Sequence, residues 1–356
     1  MNERAYAVID LERLTENYKL LKERAKCPII CTVKANAYGH GAVPCVRALS
    51  DAGADFFCVA TGEEALELRR VTDAQILVLG YTVSDFVSAA VENDIMLTVF
   101  SKKQAEILSG KVPAGRRLKV HLAINTGMNR IGLPCEFGAD TEKILKTAEF
   151  DVCGIYTHLM GADEEEDVFS GRQKTYFDRF SLHVSPQIMR HIANSAGIEK
   201  YGNMGYDRAR AGISLYGFSC TGLPVMPVMQ LYARVVWKKR LKRGERVGYG
   251  GDFTARNDTE TVTLSIGYAD GFFRSYTGGR VLFKNGTGRV IGRVCMDMCI
   301  VEIERGVVSE GEYACIFDAS GENTLSLCRQ AGTICYEQLS AIGERIKRIY
   351  RGSGGT

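Results

Sequence analysis

Ile29-Ile30-Cys31-Thr32-Val33-Lys34-Ala35-Asn36-Ala37-Tyr38-Gly39-His40-Gly41 is the stretch from which the rest of the chain can be read. Residues 29–33 form a short apolar run of strand length, and Lys34 sits where it ends. Gly39 and Gly41 then open the backbone before a helix-like run. A lysine at the end of a parallel strand lies on the face where α/β barrels build active sites. Partial burial lowers the pKa of such an amine and frees its lone pair, so it can form a Schiff base with an aldehyde cofactor. Pyridoxal phosphate (PLP) is the candidate. The plain structural alternative is a lysine snorkelling from a strand end.

Outward from this unit the same pattern repeats. Residues 5–10 read as a first strand, and Asp10 can cap a helix whose apolar face is Leu11, Leu14, Tyr18 and Leu21. Short apolar runs lie at 29–33, 56–60, 76–79, 95–99, 118–124, 152–157 and 188–193, with a last near 210–216. Amphipathic segments such as 63–70 and 104–108 separate them. Alternation of this kind implies a parallel sheet covered by helices, and eight units fit a closed (β/α)8 barrel of the TIM type. A doubly wound open sheet ranks lower, because no G-x-G-x-x-G follows an early strand. After about residue 222 the texture changes to short runs separated by glycine and charged turns, at 230–237, 261–266, 280–283, 288–292, 299–303 and 313–317. The expected fold class is therefore α/β, with an N-terminal barrel over 1–222 and a mostly β domain over 223–356. The strand at 5–10 is free to pack with that second domain. One helix is expected at 325–331, and the glycine-rich tail 351–356 is expected to be disordered.

Composition narrows the function. A formal charge of +3 over 356 residues is small, and 46% hydrophobic content suits a soluble globular chain. The basic run Trp237–Arg243 reads as a solvated strand and turn rather than a nucleic-acid patch. No apolar run reaches about 18 residues, so no segment spans a membrane, and the N-terminus lacks a signal peptide's apolar core. Twelve cysteines without a C-x-x-C pair, many within apolar runs (Cys58, Cys153, Cys315), read as reduced core residues in a cytoplasmic protein. A metal site is not expected, because the five histidines have no ligand spacing with these cysteines. The acidic run Glu164–Asp167 reads as a solvated loop or helix start.

Val33-Lys34-Ala35-Asn36-Ala37-Tyr38-Gly39-His40-Gly41 resembles the PLP-lysine signature of the alanine racemase family, and the resemblance runs on to Tyr336. His191-Ile192-Ala193-Asn194-Ser195-Ala196-Gly197 and Arg208-Ala209-Arg210-Ala211-Gly212-Ile213 fall near strands seven and eight, where barrels bind phosphate. The resemblance implies that Asn194, Ser195, Gly212 and Ile213, with Tyr38 and Tyr336, hold the cofactor phosphate. It places Arg210 beside the pyridine nitrogen. A guanidinium stays protonated there, leaves the ring unprotonated and weakens the electron sink, which favours simple proton return at Cα. Racemisation needs a second acid/base group on the opposite face. Val247-Gly248-Tyr249-Gly250-Gly251 resembles the family's catalytic-tyrosine motif, so Lys34 and Tyr249 are the expected bases, with His158 and Arg210 assisting the tyrosine. The resemblance further implies Tyr268 at the substrate entrance, Met296 among the substrate-binding residues, and a homodimer in which Tyr249 and Met296 reach the partner's active site.

Arg130, in Asn125-Thr126-Gly127-Met128-Asn129-Arg130, matches the arginine near the substrate carboxylate. The family usually holds it with a lysine, often carbamylated, where this chain has Ala123. Arg130 then has to be held otherwise, by Asn125, Asn129 or an anion such as chloride. The implied function is two-base racemisation of alanine, feeding peptidoglycan synthesis. The nearest rival is serine racemisation, as in catalytic domains linked to vancomycin resistance, which can belong to a larger membrane-anchored protein. A non-catalytic PLP-homeostasis barrel would end near residue 225, and a fold-III decarboxylase would not be expected to carry the Tyr249 and Tyr268 motifs in these forms.

Overall fold

The structure is a computed structural model that describes residues 3–352. These divide into two compact units. One contains residues 14–37 and 42–225; the other contains 3–13, 38–41 and 226–352.

The first unit is built on eight parallel strands. In chain order they are Ile29–Thr32, Phe56–Val59, Gln75–Val78, Ile95–Val99, Leu118–Asn125, Phe150–Tyr156, Met189–His191 and Ala209–Ala211. Each pairs with its sequence neighbour, and the last pairs with the first through Arg210↔Ile30. A single bridge, His191↔Arg208, joins the seventh and eighth strands and closes the ring. The strands are short apolar runs because both faces are covered, so no polar alternation is called for. Ile30, Phe56, Cys58, Leu77 and Met96 pack together at its centre, with Cys153 and Met189 against them. The covering helices are started by their own sequences. Thr61 and Glu64 form a reciprocal capping box at Gly62–Arg69, and Ser101 accepts from Gln104 N–H at Lys102–Ser109. The acidic run 164–166 is exposed, while Asp167 accepts from the N–H groups of Phe169 and Ser170 where the helix Ser170–Ser181 begins.

The second unit is antiparallel apart from one pairing. The 13-residue strand Met229–Leu241 runs past the expected 230–237 and organises the sheet. Its first half pairs with Ala5–Asp10 and Tyr313–Phe317, and its second half with Thr259–Leu264, across a register shift at Val235/Trp237. The strands Cys299–Gly306, Gly286–Ile291 and Arg280–Phe283 complete the circuit back to Tyr313–Phe317. Ala5–Asp10 pairs in parallel with Lys347–Arg351. Arg351 thus belongs to a strand rather than a disordered tail; the rest of that expectation, from 353 on, lies outside the described residues. The basic run at 237–243 is neutralised by Glu260, Glu245 and Asp258. A second late helix, Cys335–Ser340, follows Glu322–Ala331. It is too short for periodicity to declare. All twelve cysteines are free thiols.

One buried carboxylate fixes a turn in this unit. Asp270 is fully buried and receives both Nη atoms of Arg4 at 2.8 and 2.9 Å and the N–H of Gly267 at 3.0 Å. Arg345 reaches it at 3.3 Å and Asp297 at 2.7 Å. The turn Tyr268–Asp270 then donates to the carbonyls of Cys295 and Met296 at 3.1 and 3.0 Å. Gly267 admits no side chain, since a Cβ would lie 2.4 Å from those residues' backbone. Replacing Arg4 by Met leaves the carboxylate one arginine short. We expect a local cost of about 3 kcal/mol, at the low end for a broken buried pair because Arg345 stays in reach. Hydrogen exchange should show the Tyr268 and Ala269 amides opening about a hundredfold more often; unchanged exchange would mean that the ion pair does not hold the turn.

Candidate active site

Lys34 follows the first barrel strand by two residues, after Val33 N–H has extended the ladder to Cys58 O at 2.9 Å. The helix expected after Gly41 is present as Ala42–Asp51, and the segment before it is the unusual one. Ala35, Asn36, Ala37 and Tyr38 all take left-handed backbone angles, with φ between 51° and 53°, before the ordinary helix Ala42–Asp51. Each such residue costs about 1–2 kcal/mol. The compensation is explicit. Ala35 N–H donates to Glu64 Oε1 at 2.6 Å, and the other oxygen of Glu64 receives Ala60 N–H at 2.8 Å. Asn36 Oδ1 accepts from Ala42 N–H at 2.7 Å, and Ala37 N–H returns to Val33 O at 2.9 Å. Lys34 is half-buried, and its amine has no hydrogen-bond or ion-pair partner among the described residues.

Arg210, on the eighth strand, is buried without a carboxylate. Nη1 donates to His191 Nδ1 and to His191 O at 3.1 Å. Nη2 donates to Thr157 O at 2.6 Å, to Ile192 O at 3.1 Å and, at 3.4 Å, towards His158 Nδ1. Its guanidinium lies over the Tyr156 ring at 5.2 Å. Only Nε–H lacks an acceptor among the described residues. A guanidinium cannot accept, so His191 Nδ1 is the acceptor and the ring carries its proton on Nε2. That proton goes to His121 Nδ1 at 2.9 Å, which places the His121 proton on Nε2 in turn. Tyr156 stacks on His191 at 5.1 Å and gives its hydroxyl proton to Thr98, whose own goes to Val78 O.

Three histidines are thereby held neutral. Burial, then the Arg210 charge, lowers His121 to about 3. Burial, Arg210, Arg130 and Lys34 lower His158 to about 3, and His191 is pushed well below its ordinary value by burial first. The Arg130 charge acts on Tyr156, His158 and Arg210, so it belongs to the same cluster. Arg130 itself is exposed and has no partner among the described residues. Asn125 and Asn129 do not hold it. Asn125 Oδ1 instead accepts from Gly127 and Asn129 N–H, and its Nδ2 donates to Asn129 Oδ1 at 2.9 Å. Ala123 is buried on the fifth strand.

The phosphate-type corner is also more closed than expected. Asn194 caps the helix Ser195–Tyr201 through Gly197 N–H, and its amide donates to Leu159 O. Gly212 N–H does not point outward but donates to Ser195 Oγ at 2.8 Å, joined by Ser214 N–H at 3.4 Å. That hydroxyl can still donate outward, and Ile213 begins the turn Ile213–Tyr216. An anion fits here on hydrogen-bond donors alone.

In the second unit, Tyr38 and Tyr336 lie with ring centroids 6.2 Å apart. Tyr249 opens the turn Tyr249–Gly251 and is two-thirds exposed. Gly250 there has φ +74°, and a Cβ would strike Asp252 Oδ1, which is paired with Arg293. Tyr268 and Met296 are exposed on the two segments that the Asp270 network joins. Among the described residues no group of three His, Cys, Asp or Glu side chains could hold a metal.

Sequence reading missed His121, His191, Glu64 and Tyr156. Two histidines inside apolar strand runs, among five in the chain, were the available signal for the first pair.

The comparisons bear on both units. A family model described as alanine racemase, N-terminal domain matches residues 9–220, and one described as alanine racemase, C-terminal domain matches 228–350. An alanine racemase of Desulforamulus reducens is 37% identical, over 99% of this chain and 100% of its own. One of Limosilactobacillus fermentum is 37% identical over 97% of each. The solved alanine racemase of Clostridium difficile 630 superposes with a TM-score of 0.92 at 30% identity, over 99% of this chain and 96% of that one. A histidine racemase from Leuconostoc mesenteroides gives 0.87 at 28%, over 99% of each.

The buried histidines make stability pH-dependent in a defined direction. Unfolded, each titrates near 6.5, so between there and pH 3 the unfolded chain binds the extra proton and stability falls as pH falls. A histidine at about 3 in the fold withdraws about 2 kcal/mol by pH 5. Asn at position 121 keeps an acceptor where Nδ1 sits and removes the titration. We expect His121→Asn to be less stable at pH 7 but to lose less on going to pH 5, by about that amount, in urea unfolding; an unchanged pH slope would place His121 elsewhere.

Proposed function

Because the chain belongs to the alanine racemase family, we propose that it racemises alanine with PLP held at the mouth of the barrel. The observation that carries the reading is Arg210, a buried guanidinium with one N–H unspent and no carboxylate to share it. That donor suits an unprotonated ring nitrogen, and the unpartnered Lys34 amine suits an aldehyde. Ser195 Oγ and the Gly212–Ile213 turn, with the neighbouring Asn194, suit the phosphate, to which the family resemblance adds Tyr38 and Tyr336. Bound there, PLP supplies the electron withdrawal that makes the Cα proton of an amino acid labile.

The chain's own groups do the rest. The permanent charge of Arg210 keeps the ring nitrogen unprotonated, which limits delocalisation and favours return of the proton to Cα. Lys34 Nζ takes or returns that proton on one face. Tyr249 does so on the other, in a homodimer where Tyr249 and Met296 of each chain serve the partner's barrel. A tyrosine hydroxyl needs help to act as a base near neutral pH. His158 can give it: with Nδ1 facing Arg210 Nη2, its proton sits on Nε2 and is available to the phenolate oxygen. Arg130, exposed and unpartnered, binds the substrate carboxylate. Tyr268 narrows the entrance to small side chains, and Met296 lies against the bound substrate. No helix among the described residues is long and apolar enough to cross a membrane, and we place the enzyme in the cytoplasm, supplying D-alanine to peptidoglycan.

Serine racemisation is the second reading, favoured by one feature, the loss of the carbamylated lysine at Ala123. A non-catalytic barrel protein is a poor fit to a chain whose residues 228–350 match the racemase C-terminal domain. Purified, PLP-loaded protein assayed on L-alanine and L-serine decides between the substrates. We expect kcat/KM for alanine to exceed that for serine by at least about tenfold, a discrimination within reach of a pocket that must reject one hydroxyl. Equal or better turnover of serine would replace alanine with serine. Comparable failure on both, with visible absorbance that survives Lys34→Ala, would remove the lysine assignment.

Tyr249→Phe tests the two-base arrangement. Only one face loses its base, so exchange of Cα hydrogen with solvent should fall about a hundredfold from one enantiomer and much less from the other. Equal, minor effects would make Tyr249 a packing residue.

A further inference from the structure

Glu199 is a charged residue on a seven-residue helix, Ser195–Tyr201, where a solvated carboxylate would be the ordinary outcome. It is instead 4% exposed. Oε1 accepts from Ser214 Oγ at 2.5 Å. Oε2 accepts from Ser219 Oγ at 2.7 Å, Cys220 N–H at 3.0 Å, Thr221 N–H at 3.0 Å and Thr221 Oγ1 at 2.8 Å. No Lys, Arg or His pairs with it among the described residues. A carboxylate buried without a counter-charge is costly unless its oxygens are fully hydrogen-bonded. Here every neighbour is a donor, so the site matches an acceptor-only group.

The arrangement has a direction. Ser195 and Glu199 stand four residues apart, one above the other on the same helix face. Ser195 Oγ receives the backbone N–H of Gly212 and of Ser214, and Glu199 receives the Ser214 hydroxyl. Ser214 is thus gripped at backbone and side chain by two residues one turn apart. The turn between, at Gly212 and Ile213, cannot rotate without breaking one of them. The second oxygen straps down 219–221, the chain that leaves this turn after the left-handed Gly217.

We infer that Glu199 is a positioning residue for the phosphate-binding turn, setting the aim of the Ser195 hydroxyl and of the Gly212–Ile213 turn without touching the phosphate. This rests on the PLP reading above. A role confined to general stability would weaken every ligand of the barrel alike; a role in aiming the turn weakens only ligands that carry a phosphate.

The test compares PLP with pyridoxal, which lacks the phosphate, in titrations of apoprotein followed by visible absorbance. Wild type should bind PLP far more tightly than pyridoxal. In Glu199→Gln, a buried amide N–H₂ faces donors and the grip on 214 or 219–221 fails. PLP binding should weaken at least about tenfold, the scale of one misplaced charge-assisted hydrogen bond, with pyridoxal binding unchanged. Ser214→Ala, which removes a single hydroxyl and is the milder change if Glu199→Gln folds poorly, should weaken PLP about threefold, again sparing pyridoxal. Equal loss for both ligands, or no loss for either, overturns the inference while leaving the PLP reading standing. A wild type without preference for PLP over pyridoxal overturns the PLP reading and this inference with it.

Discussion

A guanidinium buried without a carboxylate constrains its whole surroundings. Arg210 needs acceptors that carry no proton of their own, and it takes carbonyls from Thr157, His191 and Ile192, at the ends of the sixth and seventh strands. Those strand ends must therefore converge on the eighth strand, at the place where the ring closes by a single bridge. The same demand fixes proton positions two residues away. Because Arg210 only donates, His191 must accept at Nδ1 and donate at Nε2, and His121 must accept in its turn. A cation at one end and burial throughout then keep all of these rings neutral. A carboxylate beside Arg210 would have been the simpler way to satisfy it, but it would have occupied Nε–H and cancelled the charge. A site that departs from the stable local solution in this way is the kind expected to carry function.

Backbone strain tells a related story at Lys34. Four consecutive left-handed residues without a glycine among them amount to several kcal/mol. They persist because Glu64 serves two structures at once, closing the capping box of its own helix and receiving Ala35 N–H. The lysine is thereby attached to the next β/α unit rather than to a freely turning loop. An amine set between a buried strand and an over-determined turn has little freedom left to lose on binding a partner.

The barrel was legible in the sequence because each of its strands is an apolar run bounded by turn residues, and residues 29–33, 56–60, 76–79 and 95–99 fall within a residue or two of the observed strands. The motifs around Lys34, Arg210 and Tyr249 were legible as resemblance. Less visible were the residues whose role depends on direction rather than type. Glu199 and Glu64 look like surface helix residues, and nothing in local spacing says that their carboxylates turn inward. His121 and His191 are 70 residues apart, and they meet only because their strands flank the sixth strand in the sheet. The left-handed turn after Lys34 contains no glycine within its four residues, so its only advance signal was the pair of glycines that follows. Asn125 and Asn129 were available to hold Arg130 by distance along the chain, yet the tight turn uses both of them up on backbone N–H groups and on each other.

These placements share a logic of charge. Lys34, Arg130 and Arg210 all act on His158, each without a carboxylate partner among the described residues, and the chain has the neutral residues Ala123 and Asn125 on the strand that leads to Arg130. Carboxylates are not absent from the surroundings; they are spent elsewhere. Glu64 and Glu199 are satisfied by backbone N–H and hydroxyl donors, so each fixes geometry without neutralising a cation. Had either reached an arginine of the cluster, the local gain of an ion pair would have come at the expense of the field. Uncompensated positive charge attracts anions over a distance of about a Debye length. A preference of this region for anionic groups is what such a placement of carboxylates would produce.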